Sequence, residues 1–352
     1  MEHDAGRLAF YGNEAYEAVG AMLEADTTAL FGQADIVLKV QRPAINPQLG
    51  IHEVDLMRPG SILLALLQPA SSADLLEQLA RRGISAFSMD LIPRISRAQD
   101  MDALSSMSTV SGYKAVLLAA ARLPKFFPLL MTAAGTVTPA RVFVLGAGVA
   151  GLQAIATARR LGALVQAFDV RPAVKEQVES LGATFVEAEA TQQDAETAGG
   201  YATKLSEEAE ARERELVARY VRDADVVITT ALIPGKRAPI LVTEQMVASM
   251  RTGSVVVDLA AEAQGNCELT QPGSEVDYQG VTIMGPLNLP STMAVHASQL
   301  YSRNITRLAM HLISQLETGL DFDEQITSDT CVSHGGEVMW GRPSGKTVGA
   351  TA

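Results

Sequence analysis

Arg141-Val142-Phe143-Val144-Leu145-Gly146-Ala147-Gly148-Val149-Ala150-Gly151 is the stretch that decides the fold. Val142 to Leu145 form a short apolar run rich in β-formers and read as a buried strand. Gly146, Gly148 and Gly151 then match the GxGxxG turn of a dinucleotide-binding βαβ unit. Gly146 permits the tight turn, Gly148 lets the backbone approach a pyrophosphate, and Gly151 lets helix and strand pack closely. The turn, with Val149 and Ala150 among its cofactor-binding residues, opens the helix Leu152-Gln153-Ala154-Ile155-Ala156-Thr157-Ala158. Its unpaired N–H groups and positive dipole end favour phosphate.

The next strand, 164–168, ends in Asp169. A carboxylate there accepts both hydroxyls of the adenosine ribose and repels a 2′-phosphate, so it selects NAD over NADP. Arg171, two residues on, is a group that could accept a 2′-phosphate, but Asp169 is better placed. Further strands are expected at 184–186, 226–230, 254–257 and 281–284, giving the six of a complete dinucleotide fold.

Upstream, short β-rich runs at 35–40, 61–67 and 86–92 alternate with helical patterns. Ser71 with Asp74 fits a capping box and Gly83 a helix stop, so this half also reads as a parallel sheet covered on both faces. A helical stretch over 101–123 leads out of it. A long helix over 292–316, with Val295, Leu300, Ile305, Leu308 and Leu312 apolar, is expected to return to it. The expected architecture is α/β: two Rossmann-like doubly wound parallel-sheet domains separated by a cleft. The first takes residues 1–125 with 305–352, and the NAD(H)-binding one takes 126–304.

Composition narrows the function. The 352 residues are 47% hydrophobic, with a net charge of −12. Such a surface repels phosphate backbones and excludes nucleic acid as a partner. Cys267 and Cys331 stand far apart with no CxxC, which predicts buried thiols and no metal. Met1-Glu2-His3-Asp4 opens polar and acidic, unlike a signal peptide. No apolar run reaches the roughly 18–20 residues of a membrane helix, so the chain is expected to be soluble and not inserted in a membrane. Alternating charges over 204–225 read as a solvated helix face, and Gly341 to Gly345 as a frayed end.

A second constellation is Arg94-Ile95-Ser96-Arg97-Ala98-Gln99-Asp100-Met101-Asp102. Cations, an amide and carboxylates gathered at the C-terminal edge of a parallel sheet are where α/β ligands sit. Arg94 could fork onto Asp102. The plainer alternative is helix capping by Asp100 or Ser96 plus a surface ion pair.

That run resembles the RQD loop of the NAD(H)-binding subunit of proton-translocating NAD(P) transhydrogenases. So do Val40-Gln41-Arg42-Pro43, Met131-Thr132-Ala133-Ala134-Gly135-Thr136, Asp169-Val170-Arg171, Lys175 to Gly182, Ala198-Gly199-Gly200-Tyr201-Ala202, Thr229 to Lys236 and Gly265-Asn266-Cys267. The resemblance runs from Gly12 to Val338. It implies that Arg94, Gln99 and Asp102 orient the dihydronicotinamide, with Gln99 reaching toward the partner nucleotide. It places Ile95, Ser96, Arg97 and Ser105 at the same site, and Val170 and Arg171 beside Asp169. Gly200 and Tyr201 lie on a loop that closes over bound NAD(H), and Leu232 lies near the nucleotide. The resemblance further implies that hydride passes directly to NADP⁺ on an NADP(H)-binding partner subunit, and that a membrane proton-channel subunit couples transfer to proton movement. A homodimer on the cytoplasmic side of a bacterial inner membrane is implied too. Direct transfer needs two oriented rings rather than an acid or base. The family carries a strand and helix before the segment resembling Tyr11 to Tyr16, so the first sheet is expected to lack a strand.

Alanine dehydrogenases are similar in fold, but they use a Lys, a His and an Asp where this chain has Gln41-Arg42-Pro43, Gln68 and Glu262. A non-enzymatic NAD-binding regulator would keep the glycines, yet has no need of Arg94, Gln99 and Asp102 together.

Overall fold

The computed structural model describes residues 1–187, 207–232 and 237–341. The chain divides into two compact units, Met1–Met107 with Met293–Ala352, and Ser108–Thr292.

The second unit carries the glycine turn. Its parallel strands are Arg141–Leu145, Leu164–Phe168, Thr184–Phe185, Val226–Thr229, Val255–Asp258 and Val281–Met284. Numbered in chain order they lie 3-2-1-4-5-6 across the sheet, the doubly wound dinucleotide order. Side chains alternate between faces. Val142 and Val144 pack with Ile155, Ala158 and Val116 on one side. Phe143 and Leu145 pack with Val217, Val221 and Val247 on the other. Val226–Thr229 and Val255–Asp258 are buried throughout, as strands covered on both faces must be. Chain order reverses between Arg141–Leu145 and Val226–Thr229, and ligands of such sheets bind at that switch point.

A seventh strand, Glu275–Tyr278, pairs antiparallel with Val281–Met284 at the sheet edge. Sequence reading misses it because its residues are exposed or half-buried by turns and two are acidic. The turn after it does carry a signal, since Gln279 and Gly280 both take positive φ. A two-stranded hairpin, Leu130–Thr132 with Gly135–Val137, is likewise absent from the sequence reading.

In the first unit Ile36–Gln41, Ile62–Leu66 and Ser85–Ser88 pair in parallel. The expectation of a purely parallel sheet is corrected by Cys331–His334 and Glu337–Val338, which add two antiparallel strands. The third run is shorter than expected because Met89–Leu91 turns into a 3-10 helix after Ser88, whose side chain accepts from the Asp90 amide. The capping box is corrected as well. Helix Ala73–Arg81 starts after Ser72 with no side-chain cap, and the Ser71 hydroxyl instead donates to the Gln68 carbonyl at 3.2 Å. Gly83 ends the helix with φ +74°, the left-handed stop its position predicts. Helix Ala294–Ile313 packs Tyr301, Ile305, Leu308 and Leu312 against Ile62, Leu64 and Phe87. Truncating a fully buried leucine such as Leu308 to alanine is expected to cost about 2–5 kcal/mol.

Candidate functional site

In the second unit the glycine turn leaves the Arg141–Leu145 strand, and each glycine meets a different constraint. Gly146 has φ +99°, which L side chains rarely adopt. Its N–H donates to the Phe168 carbonyl at 2.8 Å. A Cβ on Gly151 would lie 1.9 Å from the Gly146 carbonyl oxygen, so packing forbids one. Gly148 has ordinary φ of −75°, and a Cβ there would touch no protein atom. Neither backbone nor packing demands glycine at Gly148. The space beside it is open, with room for an outside group such as a pyrophosphate.

Gly148 is the N-cap of helix Val149–Arg160, with no side chain capping it, so first-turn amides remain for an anion. Val149 is 43%, Val170 58% and Leu232 54% exposed. Three exposed apolar side chains beside a polar turn suit the flat faces of a nucleotide.

Asp169 follows the Leu164–Phe168 strand and is nearly buried, its side chain 6% exposed. Its Oδ2 accepts from the Ala147 amide at 2.7 Å. Its Oδ1 accepts from the Arg171 amide at 2.9 Å. The Arg171 guanidinium forks onto both oxygens, Nε to Oδ1 and Nη2 to Oδ2, each at 2.9 Å. Burial raises the Asp169 carboxyl, but the Arg171 side chain and the two amides outweigh it and hold it below the usual carboxylate range. Arg171 is raised in turn by its hydrogen bond to Asp169.

Sequence reading missed the supports beneath this edge. The Thr230 hydroxyl donates to the Gly146 carbonyl at 3.0 Å. Asn266 Nδ2 donates to the carbonyls of Ala231 and Pro239, and its Oδ1 accepts from the Ala231 amide at 3.0 Å. Asp258, fully buried, holds Asn266 in place by accepting its amide at 2.7 Å. Gly112 sits where a Cβ would lie 2.1 Å from the Ala150 carbonyl. A lone glycine in the middle of helix Ala103–Arg122 was the available signal.

In the first unit the Arg94–Asp102 segment follows the sheet as a loop and a 3-10 helix, Ser96–Met101. The expected Arg94–Asp102 fork is corrected. Asp102 instead caps helix Ala103–Arg122, accepting from the Ser105 amide at 2.8 Å and the Ser105 hydroxyl at 2.6 Å. Capping by Ser96 is also absent. Arg97 is ion-paired with Glu324, and Arg307 with Asp100. Arg94, Ser96 and Gln99 are exposed and Ile95 half-buried. Among the described residues the side chains of Arg94 and Gln99 have no hydrogen-bond partner. Gly200 and Tyr201 lie outside the described residues.

Gln68 takes left-handed backbone, and its backbone N–H donates to Asp90 Oδ2 at 2.9 Å. Glu262 accepts from the Asn288 amide at 2.8 Å. Cys267 and Cys331 are buried and free, and burial pushes their thiols up to about 11 and about 12.

Residues 1–111 match the family described as alanine dehydrogenase/PNT, N-terminal domain, and residues 115–341 match its C-terminal domain. The chain belongs to the alanine dehydrogenase/PNT family. An NAD(P) transhydrogenase alpha subunit of Rhodospirillum rubrum is 46% identical over 342 residues, covering 96% of this chain and 89% of that protein. A crystal structure of transhydrogenase from Sinorhizobium meliloti superposes with a TM-score of 0.84 at 42% identity, over 96% of this chain and 90% of that one. An L-alanine dehydrogenase structure matches at TM-score 0.77 and 27% identity, over 96% and 87%. The chain is therefore nearer to the transhydrogenase branch of the family than to this dehydrogenase. Among the described residues no helix is long and apolar enough to cross a membrane.

Proposed function

We propose that the chain is the NAD(H)-binding subunit of a proton-translocating NAD(P) transhydrogenase. The observation that carries this reading is a complete dinucleotide edge in a chain that matches a transhydrogenase alpha subunit across 96% of its length. Gly148 and the first-turn amides of helix Val149–Arg160 hold the pyrophosphate, and Asp169 takes the adenosine ribose. Val149, Val170 and Leu232 flank the nucleotide. Arg94 and Gln99, exposed and without a side-chain hydrogen bond among the described residues, orient the dihydronicotinamide, with Asp102 fixing the loop end through Ser105. Gly200 and Tyr201 belong to the same site.

Bound NADH supplies the hydride, which passes directly to NADP⁺ on a partner subunit. The chain's residues need only position one ring toward the other. The neutral side chains of Gln41 and Gln68, where amino-acid chemistry would call for Lys and His, support this reading over that of an amino-acid dehydrogenase. A membrane proton-channel subunit couples the transfer to proton movement, with this subunit docked on the cytoplasmic side of the membrane.

The chain works as a homodimer. In support, Phe126 and Leu129 are 59% and 55% exposed and Met131, on the hairpin, is 81% exposed, an apolar run of the sort that associates.

Nucleotide fluorescence titration of the purified chain tests the cofactor assignment. NADH is expected to bind with clear preference over NADPH. Equal binding of the two, or none of NADH, would overturn it.

A further inference from the structure

The Asp169 carboxylate, the residue assigned above to the adenosine ribose, has no acceptor site left. A carboxylate offers about four lone-pair directions, and four donors occupy them: Arg171 N and Nε on Oδ1, Ala147 N and Arg171 Nη2 on Oδ2. Two of these donors are backbone amides fixed by the turn and the strand end. The other two belong to one side chain, 56% exposed against 6% for its partner. Among the described residues that guanidinium has no acceptor besides Asp169.

A ribose diol needs two acceptor sites on this carboxylate. Only the pair held by the guanidinium can be vacated. The guanidinium fork and the vicinal diol each present two donors, so they exchange one for one while both amides stay in place.

We propose that Arg171 is a displaceable latch on the ribose acceptor, competing with NAD(H) for Asp169 and thereby setting both affinity and the NAD/NADP preference. Closed, the latch neutralises the carboxylate that would repel a 2′-phosphate and fills the site of the diol. Open, it leaves a cation close to the ribose, where a 2′-phosphate is attracted to it. On both counts Arg171 narrows the discrimination that Asp169 alone would give. The latch is weak, because one member is exposed and screened.

The proposal rests on Asp169 being the ribose acceptor, and the test separates the two. NADH and NADPH affinities are measured by fluorescence titration for the wild type, Arg171→Ala, Arg171→Lys, Asp169→Ala and the double variant, with a melting curve for each. Arg171→Ala is expected to bind NADH roughly two- to fivefold tighter, the range of an exposed ion pair, and NADPH more weakly. Arg171→Lys should fall between. Asp169→Ala should lose roughly ten- to a hundredfold in NADH affinity, and in that background removing Arg171 should not tighten NADH further. Unchanged or weaker NADH binding by Arg171→Ala, with Asp169→Ala still impaired, overturns the latch and leaves the ribose assignment standing. Wild-type NADH affinity in Asp169→Ala overturns the ribose assignment, and the latch with it.

Discussion

Arg97 is ion-paired with Glu324, tying the loop that bears Arg94 and Gln99 to the C-terminal segment of its own unit. The other Glu324 oxygen lies 2.9 Å from His311 Nε2 and accepts from the Thr327 amide at 2.8 Å. A second tie runs from Arg307 Nε to Asp100 Oδ2 at 3.0 Å, and Asn304 Nδ2 donates to the Asp100 carbonyl at 2.8 Å. The 3-10 helix between Ser96 and Met101 is thus braced from helix Ala294–Ile313 and the segment after it.

Glu324→Gln keeps the shape of the side chain and removes its charge, so it should loosen the loop without emptying a cavity. If the loop orients the reacting ring, hydride transfer with the partner subunit should fall roughly tenfold. NADH affinity, assigned above to the glycine turn and Asp169, should change by less than about twofold. Stopped-flow transfer and equilibrium titration on the same variant check this, and equal losses in both would contradict it.

Acid should expose the same brace. Burial pushes the Glu324 carboxyl up, but amide donors at Thr327 and Ile326 and the nearby His311 outweigh it and hold the group at about 2. A carboxyl lower in the folded chain than its ordinary 4.5 adds stability above that ordinary value. The contribution is lost as pH falls from there toward about 2. Urea unfolding between neutral and acid pH should therefore show a shallower acid decline for Glu324→Gln than for wild type. Parallel declines would mean that the brace carries no such stability.

The glycines of the turn separate binding from folding. Gly148→Ala adds a Cβ that touches no protein atom at an ordinary φ, so its melting temperature should match wild type while NADH affinity drops about tenfold or more. Gly151→Ala drives a Cβ to 1.9 Å from the Gly146 carbonyl and should also cost about 1–3 kcal/mol of stability. Wild-type affinity in Gly148→Ala would remove the pyrophosphate from this turn.

Asp258 tests the support below the site. It is fully buried and accepts from the hydroxyls of Thr229 and Thr270 at 2.9 and 2.6 Å, and from the amides of Ala260, Asn266 and Cys267 at 2.9, 2.7 and 3.0 Å. Asp258→Asn turns a donor toward donors, and should lower unfolding free energy by about 3 kcal/mol. A loss below about 1 kcal/mol, read by urea titration, would contradict that role.

The six parallel strands of the second unit were legible because six apolar runs, a glycine turn and a strand-end acid stand in register. The edge strand Glu275–Tyr278 was not, since its alternation covers only four residues, two of them acidic, and it buries little apolar surface at the sheet edge. Cys331–His334 was hidden for another reason. Its neighbour Ser85–Ser88 is far away in the chain, and pairing over such a separation leaves no local trace. At the site, Gly146, Gly148, Gly151 and Asp169 could be read from spacing. The Arg171 fork, the Asp102 cap and the Asp258–Asn266 support could not, because each depends on which of several polar groups a side chain meets once the chain has folded.

Direct hydride transfer from NADH on this chain to NADP⁺ on another is the step on which the proposed function turns. It is tested most directly by incubating the purified chain with NADH deuterated at the transferring position of C4, with and without the NADP(H)-binding partner subunit and NADP⁺, and following the label by mass spectrometry. The label should appear on NADPH only when the partner is present, with none in solvent. Deuterated alanine formed by the chain alone from pyruvate and ammonium would contradict the account.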